Sequence, residues 1–130
     1  MKFAKQWPIL AEHAAVRMDI MRKSLAEETA RGKFSLEMAA EYTKGARNKT
    51  ELLEKKIFPL LEDQSDIESF ARIIKQCAEN IVVLEKLIKT GKKDILSLWK
   101  AQNAIANLDG WMFGLELIFY MSDELAKEEG

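Results

Sequence analysis

The sequence predicts an all-α protein, an up-down-up-down antiparallel four-helix bundle. Three observations carry that expectation. No segment sustains period-2 alternation or sets an Asn-Gly or Asp-Gly hairpin between β-branched runs. Apolar residues recur instead at three- and four-residue steps through a chain rich in Ala, Leu, Glu and Lys. The segments with this pattern are separated by only a few residues, which forces sequential helices to lie antiparallel. A three-helix core with an exchanged or protruding fourth helix is the competing arrangement.

The first helix is expected over 8–31. Pro8 suits a first turn, where its missing N–H costs nothing, and Gly32 can take the left-handed cap that ends it. Its inner stripe is Trp7, Ala11, Ala14, Met18, Met21 and Leu25. The second, over 36–61, follows Ser35 as N-cap and carries Ala39, Tyr42, Ala46, Leu53, Ile57 and Leu60 inward. Pro59 removes a hydrogen bond and crowds the Lys55 carbonyl, so this helix should kink or end there. The third, over 66–90, begins at a Ser65–Glu68 capping box and stops at Gly91. Between them Ile67, Phe70, Ile74, Cys77, Ile81, Leu84 and Ile88 keep the spacing of a bundle seam. The fourth, over 95–127, follows Asp94 as N-cap, and its inner row is Leu98, Ala101, Ile105, Leu108, Met112, Leu115 and Phe119. It is drawn through Gly110 and Gly114, with a break at Gly110 as the alternative. The acidic tail from Asp123 to Gly130 should fray.

A chain of 130 residues that is 48% apolar reads as a single domain, 1–130, with enough core to need no metal or disulfide staple. One cysteine, Cys77, excludes a disulfide framework and a multi-Cys zinc site. One histidine, His13, excludes every constellation needing two imidazoles. With 20 Lys+Arg against 21 Asp+Glu, the net charge of −1 gives no global pull toward nucleic acid or anionic membrane. Lys2 and Lys5 precede a segment interrupted by Glu12, His13 and Arg17, so no secretory core is expected. The longest apolar stretch, Trp111 to Met121, is broken by Glu116 and falls short of a hydrocarbon layer about 30 Å thick. The cytoplasm is the expected compartment.

Two helices carry more apolar surface than one core needs. At 100° per residue, Ile9, Val16 and Ile20 fall across from the inner stripe of the first helix, with His13 in the same row. The fourth helix repeats the pattern with Leu96, Trp99, Gly110, Gly114, Leu117 and Met121, joined by Asn103 and Ala106. The first and last helices of such a bundle are neighbours, so the two rows should merge into one apolar face that seeks a second copy or a partner helix. The Gly110–Gly114 pair would admit a helix backbone closely. The competing reading is that the fourth helix is simply central.

Candidate chemistry is sparse. His13 has no Ser or Cys three or four residues away, and no Glu-x-x-His repeats on two helices as a paired-metal bundle site requires. Glu51 and Glu54 form a Glu-x-x-Glu that any charged amphipathic helix produces, and no Cys-x-x-Cys-His marks covalent haem. No metal and no cofactor are therefore expected. The lysines and arginines near Lys44–Lys56 and Lys89–Lys93 are interleaved with acids, which disfavours a nucleic-acid surface. The function expected is non-enzymatic interaction, through homodimer formation or binding of a partner helix. The second reading is a small-molecule binder or enzyme with an apolar pocket between helices, for which Trp7, Tyr42, Trp99, Trp111 and Glu116 are the candidate lining groups. The third is a nucleic-acid-associated subunit.

Overall fold

The computed structural model describes the backbone of residues 2–129 and the side chains of residues 2–122. It is a four-helix, all-α bundle of α1 (Gln6–Ala30), α2 (Leu36–Ile57), α3 (Gln64–Thr90) and α4 (Ile95–Glu129). A 3-10 turn at Phe58–Leu60 follows α2. Pro59 sits in that turn, so α2 ends before it and never has to kink.

Local chemistry sets most of the boundaries. Gly32 adopts φ 70° and its N–H reaches the Thr29 carbonyl at 2.9 Å, while Lys33 N–H reaches the Glu28 carbonyl at 2.8 Å. These are the two bonds of a Schellman motif, and they satisfy the last carbonyls of α1. Gly91 closes α3 in the same left-handed region, with φ 66°. Ser35 caps α2 by accepting from Met38 N–H at 3.2 Å. The carboxylate of Asp94, immediately before α4, is held below its ordinary pKa chiefly by a hydrogen bond from Ser97. The expected Ser65–Glu68 capping box is corrected: α3 starts earlier, at Gln64, because Asp63 takes the cap position and accepts from Ser65 N–H at 3.3 Å. Helix α1 likewise starts at Gln6, before Pro8.

The helices are arranged around α4. Each of the other three packs on it, α2 also packs on α3, and α1 has extensive contact with α4 alone. Residue neighbours fix the directions. Leu10 lies beside Gly114 and Ala14 beside Gly110, so α1 runs antiparallel to α4. Tyr42 meets Asp109 and Lys49 meets Glu116, so α2 runs parallel to it. Along its middle α4 is buried on nearly every side: Ala101, Gln102, Ala104, Ile105, Ala106, Leu108, Gly110, Met112, Gly114, Leu115 and Ile118 are all covered. A helix that is apolar all round belongs in the interior, and α4 runs unbroken through both glycines.

Two expectations change as a consequence. Gly110 and Gly114 do admit a helix closely, but that helix is α1 of the same chain, so neither glycine belongs to a partner face. A Cβ at Gly110 would lie 2.4 Å from Met18 Cγ and 2.7 Å from the Ala14 carbonyl oxygen, and one at Gly114 would lie 2.7 Å from Leu10 Cγ. Met121 is half-buried and packs against the core, and Leu117 is half-buried. The inner face of α1 is also rotated from the expected stripe. Leu10 and Ala14 are fully buried while Ala11 is exposed, because Leu10 fills the notch at Gly114. The tail from Asp123 onward continues α4 to Glu129, and its side chains lie outside the described residues.

The notch makes a signed prediction. Alanine favours a helix over glycine by about 1 kcal/mol, yet Gly110→Ala should lower the unfolding free energy by about 1–3 kcal/mol through overpacking against a backbone oxygen. Gly45 lies in α2 where an added Cβ would meet nothing within 4 Å, so Gly45→Ala should raise stability by about 0.5–1 kcal/mol. Urea unfolding of the two variants reads both signs.

Candidate functional site

Three places on the molecule gather candidate functional residues: the outer side of α1, a polar line along α4, and the groove between α1 and α3. On α1, Ile9, Val16 and Ile20 are 42%, 60% and 56% exposed. They are spaced so that one side of the helix carries them together with exposed His13. His13 forms no hydrogen bond or ion pair among the described residues. At the start of α4, Leu96 and Trp99 are 56% and 58% exposed, beyond the stretch that α1 covers. Of the remaining predicted members of this face, Gly110, Gly114 and Met121 are occupied within the subunit, and Leu117 is half-buried.

The polar line is a feature that sequence reasoning missed. Gln102, Asp109 and Glu116 recur every seven residues along α4, each engaged by a neighbouring helix. Gln102 donates to the Thr29 hydroxyl on α1. Asp109 binds Arg17 of α1 at 2.7 Å and accepts from the Tyr42 hydroxyl of α2 at 3.4 Å. Glu116 pairs with Lys49 of α2. Arg17 also lies over the Phe113 ring, 5.3 Å from its centroid. The Asp109 hydrogen bond, followed by its charge, raises the pKa of Arg17, so its guanidinium stays charged. Burial, followed by the Asp109 charge, pushes the Tyr42 phenol up and holds it protonated. A tyrosine fixed as a neutral donor and a carboxylate already shared by two donors are not an acid–base pair; the cluster positions α1 and α2 on α4.

The expected pocket residues divide between two sides of the molecule. Tyr42 and Glu116 belong to the polar line, while Trp7 and Trp111 line the groove between α1 and α3. Trp7 is held by a residue the sequence did not single out. Asp66, 1% exposed in the first turn of α3, accepts from Trp7 Nε1 at 2.8 Å and from Phe3 N–H at 3.0 Å. A buried carboxylate is costly unless satisfied, and here both oxygens are used on the start of the chain, with the positive end of α3 close by. Phe3 itself is fully buried, its ring 6.1 Å from that of Trp7.

The Cys77 thiol is not poised as a nucleophile. Cys77 is fully buried and its thiol is pushed up to about 12 by desolvation. Among the described residues no three His, Cys, Asp or Glu side chains gather in a way that would hold a metal ion, and no helix is long and apolar enough to cross a membrane. No protein-family model, curated protein or solved structure matches this chain.

The Cys77 environment makes stability depend on pH with a definite sign. The folded chain keeps its thiol proton where an ordinary thiol, with its pKa near 9.0, releases it. The contribution is therefore fully present below pH 9 and is lost as pH rises toward 12, at up to about 1.4 kcal/mol per pH unit. Tyr42 acts in the same direction from about pH 10. Urea unfolding between about pH 8 and 11 should show the fall, and Cys77→Ala, though less stable at the lower end, should flatten its first part. An unchanged slope in that variant would remove the thiol as the cause.

Proposed function

We propose that this chain is a non-enzymatic interaction protein, acting in the cytoplasm through homodimer formation or through seating of a partner helix on the outer side of α1. The observation that supports the reading most is the exposure of Ile9, Val16 and Ile20 on one side of a helix that packs extensively on only one other element of its own subunit. Three β-branched side chains left in water at that spacing form a ready-made seam for a further helix, whereas scattered exposed apolar residues would call for no explanation. Leu96 and Trp99, exposed at the start of α4, would extend this docking face. An exposed tryptophan is among the side chains that most often anchor an interface. The face now excludes the two glycines and depends on α1 more than on α4. The inert surroundings of Tyr42 and Cys77 favour binding over catalysis.

The test is the solution mass across a dilution series, measured by light scattering, for the parent chain and for Ile20→Glu and Val16→Glu. Dimer formation predicts a mass that falls toward the monomer on dilution, with both variants monomeric and fully helical by circular dichroism. Seating of a partner helix predicts a monomer throughout, with the native host's binding protein captured by the parent chain and lost with either variant. A monomer whose captured proteins are the same before and after substitution contradicts the proposal.

A further inference from the structure

The groove between α1 and α3 is built differently from the outer side of α1, and its walls point to a ligand. Since α1 rests on α4 and has no extensive contact with α3, a cleft of about 510 Å³ opens between them, lined by Trp7 and Leu10 of α1, Ile73 of α3 and Trp111 of α4. That volume lies in the range of small-molecule sites. Trp7 is not a passive wall: its indole N–H is bound by Asp66, and the neighbouring Phe3 backbone is bound by the same carboxylate. The aromatic surface is therefore fixed before anything binds, which removes an ordering cost from recognition.

Apart from Ile73, the groups that α3 contributes to the lining are polar, two of them cationic. Lys75 and Glu79 line the groove and face each other at 4.0 Å. Arg72 lines it too, and its guanidinium donates to the Ser69 hydroxyl at 3.3 Å while meeting no carboxylate among the described residues. Helices α1 and α4 thus offer the cleft two indoles and aliphatic surface, and α3 an arginine able to make a forked pair of hydrogen bonds. We infer that this groove binds a flat, fused-ring aromatic carboxylate, its rings against Trp7 and Trp111 and its carboxylate on Arg72. The inference does not rest on the docking role of α1, since no residue of the Ile9, Val16 and Ile20 row lines the groove.

The experiment is calorimetric titration of the full chain with 2-naphthoate, with 2-naphthamide as the uncharged counterpart. Saturable binding of one 2-naphthoate per chain is expected, with at least about tenfold weaker binding for the amide and for Arg72→Glu, the size of one charge-assisted contact. Arg72 is exposed, so this variant should fold as the parent does; circular dichroism confirms it. Trp111→Leu should also weaken binding several-fold, while Lys44→Glu, on another part of the surface, should leave it unchanged. No saturable binding at millimolar 2-naphthoate, equal binding of acid and amide, or full retention in Arg72→Glu each overturns the assignment.

Discussion

The seating of α1 in the notched side of α4 is the constraint on which the rest of this structure depends. A helix apolar on nearly its whole circumference cannot face water, so α4 needs neighbours on every side along its middle. Helices α2 and α3 cover one half of it. The other half contains Gly110 and Gly114, and the missing side chains there let Leu10, Ala14 and Met18 of α1 approach the α4 backbone directly. Everything peripheral follows from that approach. Once its inner face is spent on α4, α1 has nothing left with which to reach α2 or α3 extensively, and a cleft opens between it and α3.

Polar contacts then fix how far along α4 each neighbour sits. Gln102, Asp109 and Glu116 each accept or donate to a different position on α1 or α2, so a slide of either helix by one turn would leave partly buried polar groups unmatched. Such groups cost more unpaired than they contribute paired, which makes the ladder a specifier of register rather than a large source of stability. Asp66 plays the same part for the chain start, tying Phe3 and Trp7 to the first turn of α3.

Much of this fold was legible because helix limits are written locally. Gly32 and Gly91 could be read as left-handed stops, and Ser35 and Asp94 as starts, from single residues and their neighbours. The role of Asp63 was hidden by Ser65, an equally good capping residue two positions on. The outer row of α4 was visible as a pattern, yet periodicity reports only that a side is apolar and not which helix covers it; Gly110 and Gly114 were therefore given to a partner when α1 already filled them. Leu10 was missed because one residue of rotation separates its row from that of Ala11. The seven-residue recurrence of Gln102, Asp109 and Glu116 in an otherwise apolar helix was an available signal for a register line. Asp66 offered none, since its meaning rests on contacts with residues about sixty positions away along the chain.

Whether α4 is the continuous interior helix clasped by α1 through its two glycines is tested most directly by native-state amide hydrogen exchange resolved by residue. Amides from Ala104 through Leu115 should exchange only with global unfolding, at one common free energy with no dip at Gly110 or Gly114. Fast exchange confined to those glycines, or protection on the side toward α2 and α3 alone, would contradict it.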